Sequence, residues 1–325
     1  MLADLLTDKI VSSPHRIISL ADFVSIALYH DPLGYYHRPR QRVGTESGTD
    51  FYTNLAYRSV LAPLVIEGIS RDLPHPPSSY TFYEIASEPE GGLLRENDPH
   101  PFAGIKFLRL GDPLTFAPRS LIFANEWLDA QPFHRFRFLE ANWAEMGVTL
   151  SPENDFAFAP FPYRTAELEE LLPFLPARTS HGYTLDLSLR AESCLQQLLE
   201  ENWQGRFLTF DYGQTWDTFI HHLPQGSGRA YHRHQQSPDL LAQPGDQDLT
   251  CSLCWDRLVA VAERFAISPP VIQRQEAWLM HHASRAISKL IQESASGYSE
   301  KRNRLLSLLH PAQMGSAFQV FEFTR

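Results

Sequence analysis

The chain lacks the features of several large classes of protein. It has no stretch of 18 apolar residues, so we predict that it does not span a membrane. It has no run of basic residues, and its net charge of -10 disfavours contact with phosphate backbones, so we expect no nucleic-acid partner. Its three cysteines are too few for a disulfide framework. The first ten residues resemble neither a secretory signal nor an Arg-rich transit peptide, and we therefore expect a cytoplasmic protein.

Several catalytic and metal-binding motifs are also missing. There is no Walker-type lysine loop, no H-E-x-x-H and no G-x-S-x-G nucleophile elbow. Cys251 and Cys254 form a single C-x-x-C, whereas a structural zinc site needs four ligands, so we predict no metal. A dinucleotide-dependent oxidoreductase is disfavoured because no G-x-G-x-x-G follows the first predicted strand.

The apolar residues that are present predict a mixed α/β fold. A helix is predicted from Ser19, a suitable N-cap, to Asp31-Pro32. Continuous apolar runs at 80–85, 105–110, 120–125 and 205–213 are typical of strands buried on both faces. Because helical segments separate some of these runs, we predict a mainly parallel, doubly wound sheet. The space between the first two runs is too short for a full crossover helix plus another strand, so either part of the usual layout is abbreviated or a further element lies there.

The order of the elements predicts a single elaborated domain over residues 1–325. We assign an N-terminal helical segment to 1–70 and an α/β core to 78–235, completed by a returning strand in 314–325. Residues 135–160 are predicted to form an antiparallel hairpin extension of the core sheet. Helical patterns within 245–310, including one continuous helix over 276–292, predict an inserted helical cap.

Polar residues stand at the predicted carboxyl ends of the strands, where doubly wound sheets bind ligands. They are Glu84, Asp112, Asn125 with Glu126, and Asp211. The acidic loop after Glu84 would repel a pyrophosphate, whereas S-adenosylmethionine carries a sulfonium, an ammonium and a ribose diol. Strand ends are also polar simply because they meet solvent, and that alternative stays open at this point.

A series of motifs in this chain resembles the MidA (DUF185-type) family of class I S-adenosylmethionine-dependent methyltransferases, which includes a mitochondrial complex I assembly factor. They are ADF...ALYHDPLGYY (21–36), GTDFYTN (48–54), ANEWLDAQPFHRF (124–136), FDYG (210–213), GRAYHRH (228–234), PGDQDLT (244–250) and MGSAFQV (314–320). The resemblance implies a Rossmann-like methyltransferase sheet, S-adenosylmethionine as cofactor and methylation of a protein side chain such as arginine. It leaves a homodimer open.

The resemblance also implies roles for individual residues. The residues implied to line the cofactor are Glu84, Ala86, Gly91, Gly92, Asp112, Asn125 and Thr53. The acids implied to hold and orient a guanidinium are Asp50, Glu126 and Asp129. Arg229, His232 and Asp248 could line the same mouth or only stabilise the packing of the cap.

The chain departs from the family at its first strand-loop. Ala86 stands where the family has its first glycine, and alanine is costly there only if its φ is positive. A methyltransferase-like scaffold that binds a partner protein without any cofactor is therefore a second interpretation.

Overall fold

The computed structural model describes residues 1–38, 54–87, 92–233, 235–293 and 299–325. The α-helices in these ranges are α1 (Leu2–Ser12), α2 (Leu20–Tyr29), α3 (Arg58–Ile69), α4 (Ala166–Leu171), α5 (Leu189–Glu200), α6 (Trp216–His221), α7 (Trp255–Ala262), α8 (Gln275–His282), α9 (Ser284–Glu293) and α10 (Glu300–Leu309). The strands are β1 (Ile18–Ser19), β2 (Thr81–Ile85), β3 (Gly104–Leu108), β4 (Arg119–Asn125), β5 (His134–Leu139), β6 (Asn142–Leu150), β7 (Phe156–Pro160), β8 (Thr184–Leu187), β9 (Gln204–Asp211), β10 (Gly213–Gln214), β11 (Arg229–His232), β12 (Gln235–Ser237), β13 (Asp248–Thr250), β14 (Leu253–Cys254), β15 (Val271–Arg274) and β16 (Gln319–Thr324). In the described part of the chain, no helix combines the length and apolar character needed to cross a membrane.

The first of two compact units consists of Met1–Phe51, Asp129–Glu192 and Gln214–Asp256. Its larger sheet has the order β1-β6-β5-β8, with β7 paired to β6, and all of its pairs are antiparallel. A smaller antiparallel sheet has the order β12-β11-β13. Helices α1 and α2 bury their apolar faces in a cluster that also includes Val148 and Leu249.

The second unit consists of Tyr52–Leu128, Ser193–Gly213 and Arg257–Arg325. Its six-stranded sheet has the order β15-β16-β9-β4-β2-β3. Strands β3, β2, β4 and β9 are parallel, whereas β16 and β15 are antiparallel to their neighbours. The core of this unit joins the sheet to α3, α8, α9 and α10. The predicted parallel sheet and the return of the last strand are therefore confirmed.

Local sequence signals locate several element boundaries well. The Ser19 hydroxyl accepts a hydrogen bond from the Asp22 N–H, as the predicted N-cap of α2 requires. The continuous helix predicted over 276–292 is instead two helices, α8 and α9. They are separated at Ala283, which has φ -125° and ψ 29°. Ala283 is still fully buried, so the predicted apolar face survives this break.

The hairpin predicted as an extension of the core sheet has a different partner. Strands β5, β6 and β7 pair antiparallel with one another, as expected. However, they belong to the five-stranded sheet of the first unit and not to the six-stranded sheet. The prediction of a sheet extension is wrong because alternating apolar residues reveal that a strand has a buried face, but not which strand lies beside it.

The short connection between β2 and β3 is confirmed for its described residues. Residues 92–103 contain no helix, yet β2 and β3 pair in parallel from Thr81 opposite Gly104 to Ile85 opposite Leu108. Phe102 from this connection stacks on Phe82 of β2, with ring centroids 5.0 Å apart. An aromatic contact thus covers part of the face that a crossover helix would normally bury.

Candidate cofactor site

The carboxyl ends of three parallel strands lie at one edge of the six-stranded sheet. Ile85 of β2 pairs with Ala124 of β4, and Asn125 pairs with Phe210 of β9. This register brings Glu84, Asn125 and Asp211 to the same edge, as the polar strand ends in the sequence predicted. It is the edge at which α/β sheets bind ligands.

Glu84 binds the backbone of the segment that follows the strand. Its side chain is 1% exposed, and its two carboxylate oxygens lie 2.7 and 2.9 Å from the Leu93 nitrogen, which donates to them. The carboxylate therefore acts as a clasp that closes the loop between β2 and Leu93.

Burial raises the pKa of Glu84 from 4.5 to about 7. The N–H groups of Leu93 and Leu94 and the charge of Arg58 act in the opposite direction, but burial is the larger effect. A carboxyl group at a sheet edge thus titrates close to neutral pH.

Gly92 and Ala86 show how tightly this loop is built. A Cβ atom on Gly92 would lie 2.0 Å from Glu84 Oε1, so only glycine fits beside the clasp. Ala86 has φ 57°, the left-handed conformation that glycine adopts without strain. The alanine that stands in place of the family's first glycine therefore strains the backbone and costs free energy of folding.

The end of β4 is held by a second set of polar contacts. Asn125 donates from Nδ2 to Glu126 Oε1 at 2.7 Å, and the Glu126 N–H donates to the Phe210 carbonyl at 2.8 Å. Asp211 is fully buried and accepts hydrogen bonds from the N–H groups of Leu128 and Tyr212. Asn125 Oδ1 is buried and, among the described residues, has no hydrogen-bond partner.

Of the other predicted site residues in the second unit's loops and the N-terminal motif, only Asp112 is described by the structure. Asp112 lies in an exposed turn after β3, where its carboxylate accepts a hydrogen bond from the Arg109 N–H at 2.7 Å. Asp50, Thr53 and Gly91 fall outside the described residues.

Asp129 belongs to the first unit, where it is 4% exposed. It lies in an acidic, tyrosine-rich group in which the Tyr36 hydroxyl donates to Asp248 Oδ1 at 3.0 Å. Burial raises the pKa of Tyr36 well above its ordinary value, and the charges of Asp248 and Asp129 add to that effect. In the same unit, His232 Nδ1 lies 2.8 Å from the Asp246 carbonyl oxygen, a contact that stabilises packing.

Two further polar residues of the second unit were not selected from the sequence. Asn54 is the last residue of the motif GTDFYTN and is fully buried, and Arg58 begins α3. The charge of Arg58 acts on Glu84. The motif pointed toward Asn54, but Arg58 carries no local signal that distinguishes it from an ordinary surface arginine.

This arrangement defines the class of protein. A parallel sheet with polar strand ends and a glycine-containing first loop is the architecture that holds nucleotide-type cofactors. The fold is shared with a COG1565 superfamily member from Burkholderia thailandensis whose crystal structure contains S-adenosyl-homocysteine. That match has a TM-score of 0.82 and 20% identity, and it covers 100% of this chain and 92% of the other. A native crystal structure of a COG1565 superfamily protein from the same organism gives a TM-score of 0.78 at 20% identity, covering 100% of this chain and 91% of that one.

The chain belongs to the family described as "Putative S-adenosyl-L-methionine-dependent methyltransferase", whose model matches residues 93–270. This confirms the resemblance drawn from the motifs.

Curated relatives agree with this assignment. The protein arginine methyltransferase NDUFAF7 homolog of Caenorhabditis elegans is 29% identical over 48% of this chain and 36% of its own length. The NDUFAF7 proteins of Danio rerio and Drosophila melanogaster are 26% and 27% identical, each over 62% of this chain and 46% of their own length. The chain thus spans less than half the length of these relatives. All three are named as mitochondrial, which contradicts the expectation of a cytoplasmic protein.

Proposed function

We propose that this chain is an S-adenosylmethionine-dependent methyltransferase that modifies a protein side chain, namely the guanidinium of an arginine. Its family membership is the observation that carries the proposal. The names of the curated relatives support a protein substrate, and arginine is the side chain that those names specify.

The residues at the sheet edge fit such a cofactor. Gly92 leaves room beside Glu84 that a Cβ atom would fill, and Asn125 Oδ1 is a buried acceptor without a partner among the described residues. Buried polar atoms normally have partners, so an unpaired acceptor at a ligand-binding edge supports a ligand there.

The chain's own residues would bind and orient the reactants. When bound, the cofactor supplies an electrophilic methyl group on a positively charged sulfur. Glu84 holds the first loop in place through the Leu93 N–H, and Asn125 would offer a donor its side-chain oxygen, which is unpaired within the described ranges. We retain Ala86, Gly91, Gly92, Asp112 and Thr53 as proposed cofactor-lining residues.

For the substrate, we propose that Asp50, Glu126 and Asp129 hold the guanidinium. Carboxylates bind a guanidinium through paired, directional hydrogen bonds and fix its plane. Orientation of the attacking nitrogen would supply most of the rate, and a carboxylate would accept the proton that the nitrogen releases.

A cofactor-free scaffold that binds a partner protein is the second candidate. It is favoured by Ala86, whose left-handed backbone places strain in the loop that would bind the cofactor. The two candidates differ in one measurable property, which is the binding of S-adenosylmethionine to the folded protein.

Calorimetric titration with S-adenosylmethionine and S-adenosylhomocysteine tests the proposal. We expect saturable binding of both by the wild-type chain, and loss of binding in a folded Glu84→Ala variant because the loop loses its clasp. Glu96→Ala changes an exposed glutamate in the same unit and is the matched control. A folded wild-type chain that binds neither ligand at millimolar concentration would establish the scaffold instead. Methyl transfer is then measured as radiolabelled methylarginine released by acid hydrolysis of a labelled substrate protein.

A further inference from the structure

The side-chain amide of Asn54 is buried, and its polar atoms are unpaired among the described residues. It begins the short 3-10 turn Asn54–Tyr57 that leads into α3, and its side chain is 0% exposed. Among the described residues, neither its amide nitrogen nor its amide oxygen has a hydrogen-bond partner. An amide that loses its water without gaining a partner destabilises the free protein, so its retention suggests a role in binding.

Arg58 stands one helical turn further along the chain. Its side chain is 28% exposed, and its Nη1 atom is buried without a hydrogen-bond partner in the described part of the chain. Among the described residues, this Nη1 atom forms an ion pair with Asp98 Oδ2 at 3.8 Å, which is too far for a hydrogen bond. Arg58 therefore has a donor available for an anion.

Arg58 lies near the loop that Glu84 closes, and Asn54 precedes it by four residues in the turn that leads into α3. Leu55 and Tyr57, which lie between Asn54 and Arg58, pack against the core cluster that contains Leu93 and Leu94. The Leu93 N–H donates to the Glu84 carboxylate, and the positive charge of Arg58 acts to lower the pKa of that carboxyl group.

We propose that Asn54 and Arg58 bind the α-carboxylate of the cofactor's methionine end. The inference rests on the proposed function, because it assumes that the cofactor is S-adenosylmethionine. Of the charged groups on this molecule, the sulfonium and the ammonium are positive, and only the α-carboxylate is negative. A guanidinium and an amide N–H are donors suited to that carboxylate, and the location of Arg58 at the start of α3 adds the positive end of the helix dipole.

The test compares two ligands that differ only in this carboxylate. Calorimetry measures the Kd of S-adenosylhomocysteine and of its decarboxylated form, which keeps the adenosine and the amino group. We expect the wild-type chain to bind the carboxylated ligand about 10- to 100-fold more tightly, as is typical of a charged hydrogen bond. In Arg58→Gln the two Kd values should agree within about threefold, and Arg58→Lys should restore part of the preference.

The control is Arg71→Gln, two residues beyond the other end of the same helix and about 20 Å along its axis from Arg58. It should keep the wild-type preference. A second variant, Asn54→Leu, replaces the unpaired amide by an apolar group of similar size. It should bind S-adenosylhomocysteine more weakly while its melting temperature without ligand does not fall.

The outcomes separate this inference from the proposed function. If Arg58→Gln weakens both ligands equally, the arginine only supports the fold, and the inference is overturned although the chain still binds the cofactor. A wild-type chain with no preference between the ligands also overturns it. If the wild-type chain binds neither ligand, the proposed function and the inference fail together.

Discussion

The titration of Glu84 should make the stability of the protein fall as the pH rises. Burial raises the pKa of this carboxyl from 4.5 to about 7 in the folded state, so between these values the folded chain keeps a proton that the unfolded chain has lost. The unfolded state binds fewer protons in this range, and the free energy of unfolding therefore decreases with rising pH. One pKa unit corresponds to about 1.4 kcal/mol, so the full effect is about 3 kcal/mol.

The Glu84→Gln variant removes this titration and retains an acceptor for the Leu93 N–H. Urea unfolding of both proteins at pH 5 and pH 7.5 gives the difference between their free energies of unfolding. We expect the wild-type chain to lose about 2 kcal/mol relative to the variant between these two pH values. Other titrating groups are common to both proteins and cancel in the comparison.

Glu96→Gln, in which an exposed glutamate loses its charge, is the control for a simple change in net charge. Its free energy of unfolding should stay parallel to that of the wild-type chain. If the Glu84→Gln and wild-type curves are parallel within about 0.5 kcal/mol, the carboxyl is not held in a desolvated site and our account of the clasp is refuted.

The remaining predictions concern the backbone of the same loop. Ala86→Gly should raise the melting temperature, because relief of the left-handed conformation gains about 1–2 kcal/mol against an entropy cost of about 0.5–1 kcal/mol. Ala141 has φ 70°, so Ala141→Gly should also raise the melting temperature. A clear loss of stability in either variant would show that the alanine backbone is not strained. Gly92→Ala should cost about 2–4 kcal/mol in denaturant unfolding, because its Cβ displaces the Glu84 carboxylate and leaves buried groups unpaired. A Cβ atom on Gly104 would meet no atom within 4 Å, so Gly104→Ala should leave the free energy of unfolding nearly unchanged. Equal losses of stability in Gly92→Ala and Gly104→Ala would contradict the close contact between Gly92 and the Glu84 carboxylate.

Much of the fold follows from local patterns in the sequence. The apolar runs that end at Ile85 and Asn125 predicted parallel strands, and Ser19 marked the start of α2. These signals are reliable because side-chain periodicity and capping depend on neighbours within one or two turns. The apolar spacing did not predict the break between α8 and α9 at Ala283, because that spacing continues unchanged across it.

The candidate site was only partly accessible to the same reasoning. Glu84 and Asn125 could be found because strand ends of a parallel sheet meet at one edge. Arg58 could not, since its relation to Glu84 depends on how α3 packs against the loop, and that contact joins residues far apart in the sequence. The roles of Asp50 and Thr53 remain predictions.

The sequence by itself determined the class of the protein, because the order of its motifs and the spacing of its apolar runs need no knowledge of distant contacts. Only the tertiary structure decided what the first loop does with its unusual residues. It set a positive φ at Ala86, turned the Glu84 carboxylate onto the Leu93 N–H, and buried the Asn54 amide without a partner among the described residues. The states of Glu84 and Asn54 depend on how the loss of water on burial is offset by new hydrogen bonds, and packing between distant segments sets that balance.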